Sequence, residues 1–108
     1  MKMIRATMYW NRLRLEEAGH ANYAEDGKDI VCAGASTLTA ALAGALEEAE
    51  ERGRCSLETK ERDGYAMITA DPTMGNRQEI KAYFKMAVTG MKMLQEQYPK
   101  YFEIREVM

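Results

Sequence analysis

Asp29-Ile30-Val31-Cys32-Ala33-Gly34-Ala35-Ser36 opens the longest helical pattern in the chain, and the other elements arrange themselves around it. Asp29 suits a helix N-cap, because its carboxylate can accept from the backbone N–H two or three residues on. The helix then runs to about Arg52, with Leu38, Ala41, Leu42, Ala45, Leu46 and Ala49 as its buried stripe. Its many alanines favour helix and permit close packing. Glu47-Glu48-Ala49-Glu50-Glu51 reads as a solvated face, and Gly53 as the residue that ends the helix.

Before this helix, Ile4, Ala6, Met8 and Trp10 alternate with Arg5, Thr7 and Tyr9, the pattern of a half-buried strand from Met3 to Trp10. Asn11 offers a turn, and Leu13 and Leu15 alternate with Arg12, Arg14 and Glu16 in a second strand. Gly19 to Lys28 has two glycines and no apolar period, so it reads as a loop that could close over a ligand as a flap, with Gly19 and Gly27 as its pliable points. After the helix, Cys55 to Lys60 alternates, Asp63-Gly64 signals a hairpin turn, and Tyr65 to Ala70 returns. Asn76 with Glu79 resembles a capping box. A second amphipathic helix follows, with Ile80, Tyr83, Phe84, Ala87, Val88, Met91, Leu94 and Tyr98 on one stripe and Pro99 as its stop. Phe102 and Ile104 mark a closing strand. The expected fold class is α/β (α+β): one mixed sheet with two amphipathic helices, ordered β-β-α-β-β-α-β, as a single domain over 1–108.

Composition narrows the function classes. The 108 residues carry a formal net charge of −2, with acids and bases interspersed. That balance gives no reason to expect nucleic acid or an anionic membrane as the main partner. The first residues lack the apolar run of a signal peptide, and no window reads as a membrane span, so the expected location is the cytoplasm. Two cysteines make no disulfide framework. The nine methionines read as adaptable core fillers. No cofactor and no metal is expected: Cys32, Cys55 and His20 are too few for zinc without added carboxylates.

The chemistry concentrates in one place. Cys32 lies near a helix start, where free N–H groups and the helix dipole favour thiolate. His20, the only histidine, sits in the preceding loop and could take the thiol proton. Asp29 could orient His20 as well as cap. Ser36, one turn after Cys32, could bond back to the Cys32 carbonyl, bond His20, or line a cleft. The bland alternatives are a small buried cysteine and a surface histidine. Cys55 reads as structural, and Tyr23, Tyr65 and Tyr83 as core aromatics that could instead line a peptide groove.

Gly19-His20-Ala21-x-Tyr23-Ala24, then Gly27-x-Asp29-Ile30-Val31-Cys32-Ala33, then Ser36, resembles the ribosomal-processing cysteine proteases called Prp. The likeness extends over nearly the whole chain, including Tyr98-Pro99, Tyr101 and the last strand. It implies a small homodimer in the bacterial cytoplasm. It also implies removal of a short N-terminal extension from a large-subunit ribosomal protein, the twenty-seventh, by cleavage after an aromatic residue. Relatives also mature phage proteins. By this resemblance Cys32 is the nucleophile, His20 the general base, and Asp29 and Ser36 supporting residues. A non-catalytic module that grips a peptide or ribosomal protein, a relative that processes phage proteins, and a redox-sensing thiol protein are the competing readings.

Overall fold

The computed structural model describes residues 3–19 and 26–108, with the side chains of the second segment described from Ile30 onward. Five strands and two helices follow in the expected order: β1 (Ile4–Tyr9), β2 (Arg14–Ala18), α1 (Asp26–Glu51), β3 (Cys55–Arg62), β4 (Tyr65–Pro72), α2 (Arg77–Gln97) and β5 (Phe102–Val107). They form one mixed sheet of spatial order β3-β4-β2-β1-β5. β1 pairs antiparallel with β2 and parallel with β5, while β4 joins β2 and β3 by antiparallel ladders.

Alternation decides which face meets the helices. Ile4, Ala6, Met8, Leu15, Ile68, Ala70, Phe102 and Ile104 are buried together with Val31, Leu42, Leu46, Ile80, Phe84, Val88 and Met91. The opposite face carries polar pairs: Arg5 bonds Glu103 at 3.1 Å, and Arg14 donates to Thr69 at 3.0 Å. Phe84 and Phe102 are fully buried, and truncating either to alanine costs about 3–5 kcal/mol.

Several local expectations change. β1 ends at Tyr9, and Trp10 to Leu13 form the turn. Leu13 is not a strand residue: it takes a left-handed φ of 47° while its side chain is fully buried. Its carbonyl accepts the Ala70 N–H at 3.1 Å, so burial and pairing hold it there. Asn76 precedes α2 but makes no side-chain cap. It donates to Thr73 Oγ1 at 2.8 Å instead, and Glu79 turns to Arg54 and Tyr83. The capping box loses to these tertiary partners.

Glycines set the helix–helix distance. A Cβ on Gly90 would come within 2.5 Å of Leu38 Cδ2, and one on Gly34 within 3.2 Å of Leu94 Cδ1. The expected absence of a membrane-length helix is also corrected: Ile30–Glu51 is long and apolar enough by length and composition. In the fold this segment packs on the sheet through Val31, Ala35, Leu42, Leu46 and Ala49.

Candidate active site

α1 begins at Asp26, earlier than the sequence suggests. Asp26, Gly27 and Lys28 are therefore helical, not part of a loop, and Gly27 is no flap hinge. Asp29 is the fourth residue of the helix rather than its N-cap. Cys32 becomes the seventh, in the second turn, so helix geometry engages its N–H with the Lys28 carbonyl. The dipole effect fades beyond the first turn. The helix start thus contributes less to thiolate formation than expected, and the Cys32 N–H is not a free oxyanion donor.

Cys32 is a free thiol, half-buried, packed at the edge of the core beside fully buried Val31. Ser36 lies one turn on and is exposed. Thr37 and Thr39 donate back to the Ala33 and Ala35 carbonyls at 2.8 and 2.9 Å. No such bond runs from Ser36 to Cys32 among the described residues, and Ser36 instead lines a cavity. His20 and Tyr23 lie outside the described residues, as do the side chain of Asp29 and any contact it makes with His20.

Gly19 sets where the chain leaves the sheet. Its φ is +104°, its N–H donates to the Gly64 carbonyl at 2.9 Å, and a Cβ there would collide with the Met3 carbonyl oxygen. At the end of β2 the chain therefore needs a glycine both for its backbone conformation and for the space beside Met3. Cys55 is structural, as expected: it is buried, and its thiol donates to the Leu46 carbonyl at 3.8 Å. Burial, then Glu50 and Glu79, push its pKa up. Tyr83 packs against the core and donates to Glu79 at 2.7 Å, and Tyr65 lies on the open sheet face with Glu16, 3.5 Å away.

The cavity beside Ser36 holds about 380 Å³ between α1 and the β2–β4–β3 side of the sheet. Glu17 reaches into it. Burial pushes this carboxyl up to about 7 from an ordinary 4.5, an effect that the Thr39 hydroxyl offsets only in part. Its Oε2 is buried and accepts no hydrogen bond among the described residues. Sequence reasoning missed Glu17, though the signal was present: it continues the face of Leu15, where an apolar residue would be expected.

A family model described as cysteine protease Prp matches residues 3–103. The chain belongs to that family. It is therefore a cysteine protease, a hydrolase of peptide bonds. No curated protein matches the chain. Among solved structures, SMU.848 from Streptococcus mutans is 29% identical, with a TM-score of 0.70 over 99% of this chain and 94% of that one. The essential ribosomal processing protease Prp from S. aureus, in complex with a substrate peptide, is 21% identical, with a TM-score of 0.71 over 99% of this chain and 100% of that one. A second structure of that protease, with a covalently linked product peptide, is 22% identical, with a TM-score of 0.69 and coverage of 99% and 100%. At these identities the S. aureus structures speak to the fold.

Proposed function

We propose that this Prp-family protease is a cytoplasmic endopeptidase that removes a short N-terminal extension from a large-subunit ribosomal protein, the twenty-seventh, cutting after an aromatic residue. Membership of the Prp family carries this reading. The S. aureus protease of the same fold, named for ribosomal processing and bound to a substrate peptide, gives it a substrate class.

In the proposed mechanism His20 takes the Cys32 proton, and the sulfur attacks the scissile carbonyl carbon. The tetrahedral adduct collapses to a thioester as His20 returns the proton to the leaving amine. Water, deprotonated by His20, then attacks the thioester and frees the new carboxyl end and the thiol. With Cys32 in the second helical turn, the imidazole carries most of the burden of forming thiolate. Ser36 is assigned contact with the peptide, a reading that its exposure at the cavity rim supports, and Asp29 the orientation of His20.

A homodimer is part of the reading. Exposed Met86 and Met93, on the outer side of α2 beside grooves shared with α1, give it apolar surface to bury. Size-exclusion chromatography with light scattering checks it.

The decisive experiment incubates the protein with the extended ribosomal precursor and reads the new N-terminus by mass spectrometry. Cys32→Ala is expected to abolish cleavage, and His20→Ala to reduce it at least about a hundredfold. Undiminished cleavage by either variant rejects the mechanism. Iodoacetamide separates the binding-module reading: a Cys32 no more reactive than an unfolded thiol would favour that alternative.

A further inference from the structure

The cavity under α1 carries a chemistry that neither the core nor Cys32 requires. An apolar side chain at position 17 would complete the face begun by Leu15, yet a carboxyl stands there with one oxygen buried and unpaired among the described residues. A buried polar atom without a partner is costly, and such atoms frequently find one in a ligand.

The charges around it are lopsided. Glu47 from α1 and Glu61 from β3 line the same cavity, and β4 contributes uncharged Ala66 and Ile68. On β1, Ala6 stands opposite Glu17. Lys60 of β3 also lines the cavity, although strand alternation directs its side chain, like that of Arg62, toward the other sheet face, where Arg62 lies 4.9 Å over the Tyr65 ring. Lys60 is the one basic residue in the lining, and among the described residues no hydrogen bond reaches Glu17 Oε2 from it or from any other group.

The walls suit one kind of group. Ala40, Ala43 and Ile68 offer an apolar lining for a methylene stem, and Glu17 offers a carboxylate to a cationic head. The cavity is also near the scissile position. Ser36 lines it, and four helical residues separate Ser36 from Cys32, a rise of about 6 Å. An extended peptide covers that distance in about two residues.

We propose that Glu17 is a specificity-determining residue, whose carboxylate pairs in the cavity between α1 and the sheet with a lysine or arginine side chain of the peptide being cut. The inference rests on the protease reading above. Burial supports it by holding Glu17 near neutrality until a cation arrives, since a nearby cation favours the ionised form and expels the proton.

The test reads binding without cleavage. Fluorescein-labelled octapeptides carry a fixed phenylalanine and, at one other position at a time, lysine or its uncharged analogue norleucine. Anisotropy titrations at pH 8 use Cys32→Ala protein with and without Glu17→Gln. At one position lysine is expected to bind about tenfold tighter than norleucine, and the preference to collapse in Glu17→Gln. Equal binding at every position, no binding of any lysine peptide, or a preference that survives Glu17→Gln overturns the proposal. Wild-type protein that cuts nothing while the preference holds would instead overturn the protease reading alone. Should Glu17→Gln fail to fold, carboxyl-carbon NMR of Cys32→Ala protein gives the answer. Saturating lysine peptide is expected to lower the Glu17 midpoint by at least about one pH unit, and norleucine peptide to leave it in place. An unmoved midpoint overturns the assignment.

Discussion

Glu79 and Glu17 are both carboxylates set beside the core, and they have opposite surroundings. Glu79 takes Arg54 Nη1 on both oxygens at 3.0 Å and the Tyr83 hydroxyl at 2.7 Å. The Tyr83 bond first, then Arg54, holds its pKa below the ordinary range. Glu17 has a buried oxygen without a partner among the described residues, and burial drives its pKa up to about 7. A carboxylate that ties α2 to Arg54, the residue just before β3, is satisfied within the fold. One that opens into a cavity is left for something else to satisfy.

The contrast is sharpest in its dependence on pH. Folded Glu17 keeps its proton to about pH 7, whereas an unfolded glutamate releases its own near 4.5. Its contribution to stability is therefore full below pH 4.5 and is lost as pH rises through 7. Glu17→Gln stays neutral throughout. It is expected to overtake wild type with rising pH, gaining about 3 kcal/mol at most by pH 8 in urea titrations. A difference between the two proteins that stays constant from pH 4 to pH 8 would break the contrast.

Glu79 has the opposite sign. Its contribution is present above the unfolded value of 4.5 and is lost as pH falls through the lower folded value. Arg54→Met removes the bidentate partner and is expected to lower the Tm by a few degrees at pH 7, with a smaller difference at pH 3. Tyr83→Phe has the smallest effect. The Glu79 midpoint rises toward 4.5, so acid unfolding begins at a higher pH, as circular dichroism against pH would record. An unmoved midpoint would show that Arg54 alone sets the Glu79 charge.

The fold was readable where local chemistry and tertiary packing agree. Period-two alternation placed the strands, Asp63-Gly64 closed a hairpin, and Gly53 and Pro99 bounded the helices. The start of α1 was not readable, because Asp26-Gly27-Lys28 has no apolar period and opens on two poor helix formers, and helix continues through it regardless. The capping box at Asn76 and Glu79 failed for a nonlocal reason: Arg54, from a distant segment, claims the glutamate. At the site, the sequence singled out Cys32 and Ser36 and overlooked Glu17, a single acid following Leu15 on the same face. Its meaning depends on a cavity that only the packing of α1 over β2 and β4 creates.

Glu50 occupies an unusual post. Its carboxylate accepts the Leu57 N–H at 2.8 Å, on the side of β3 that faces away from β4. β3 is the rim of the sheet, and rim strands invite pairing with other chains. The acid at the end of α1 thus works as a stopper: a foreign strand trying to stack along β3 finds the Leu57 position already taken, and any growth of the sheet beyond that point is interrupted.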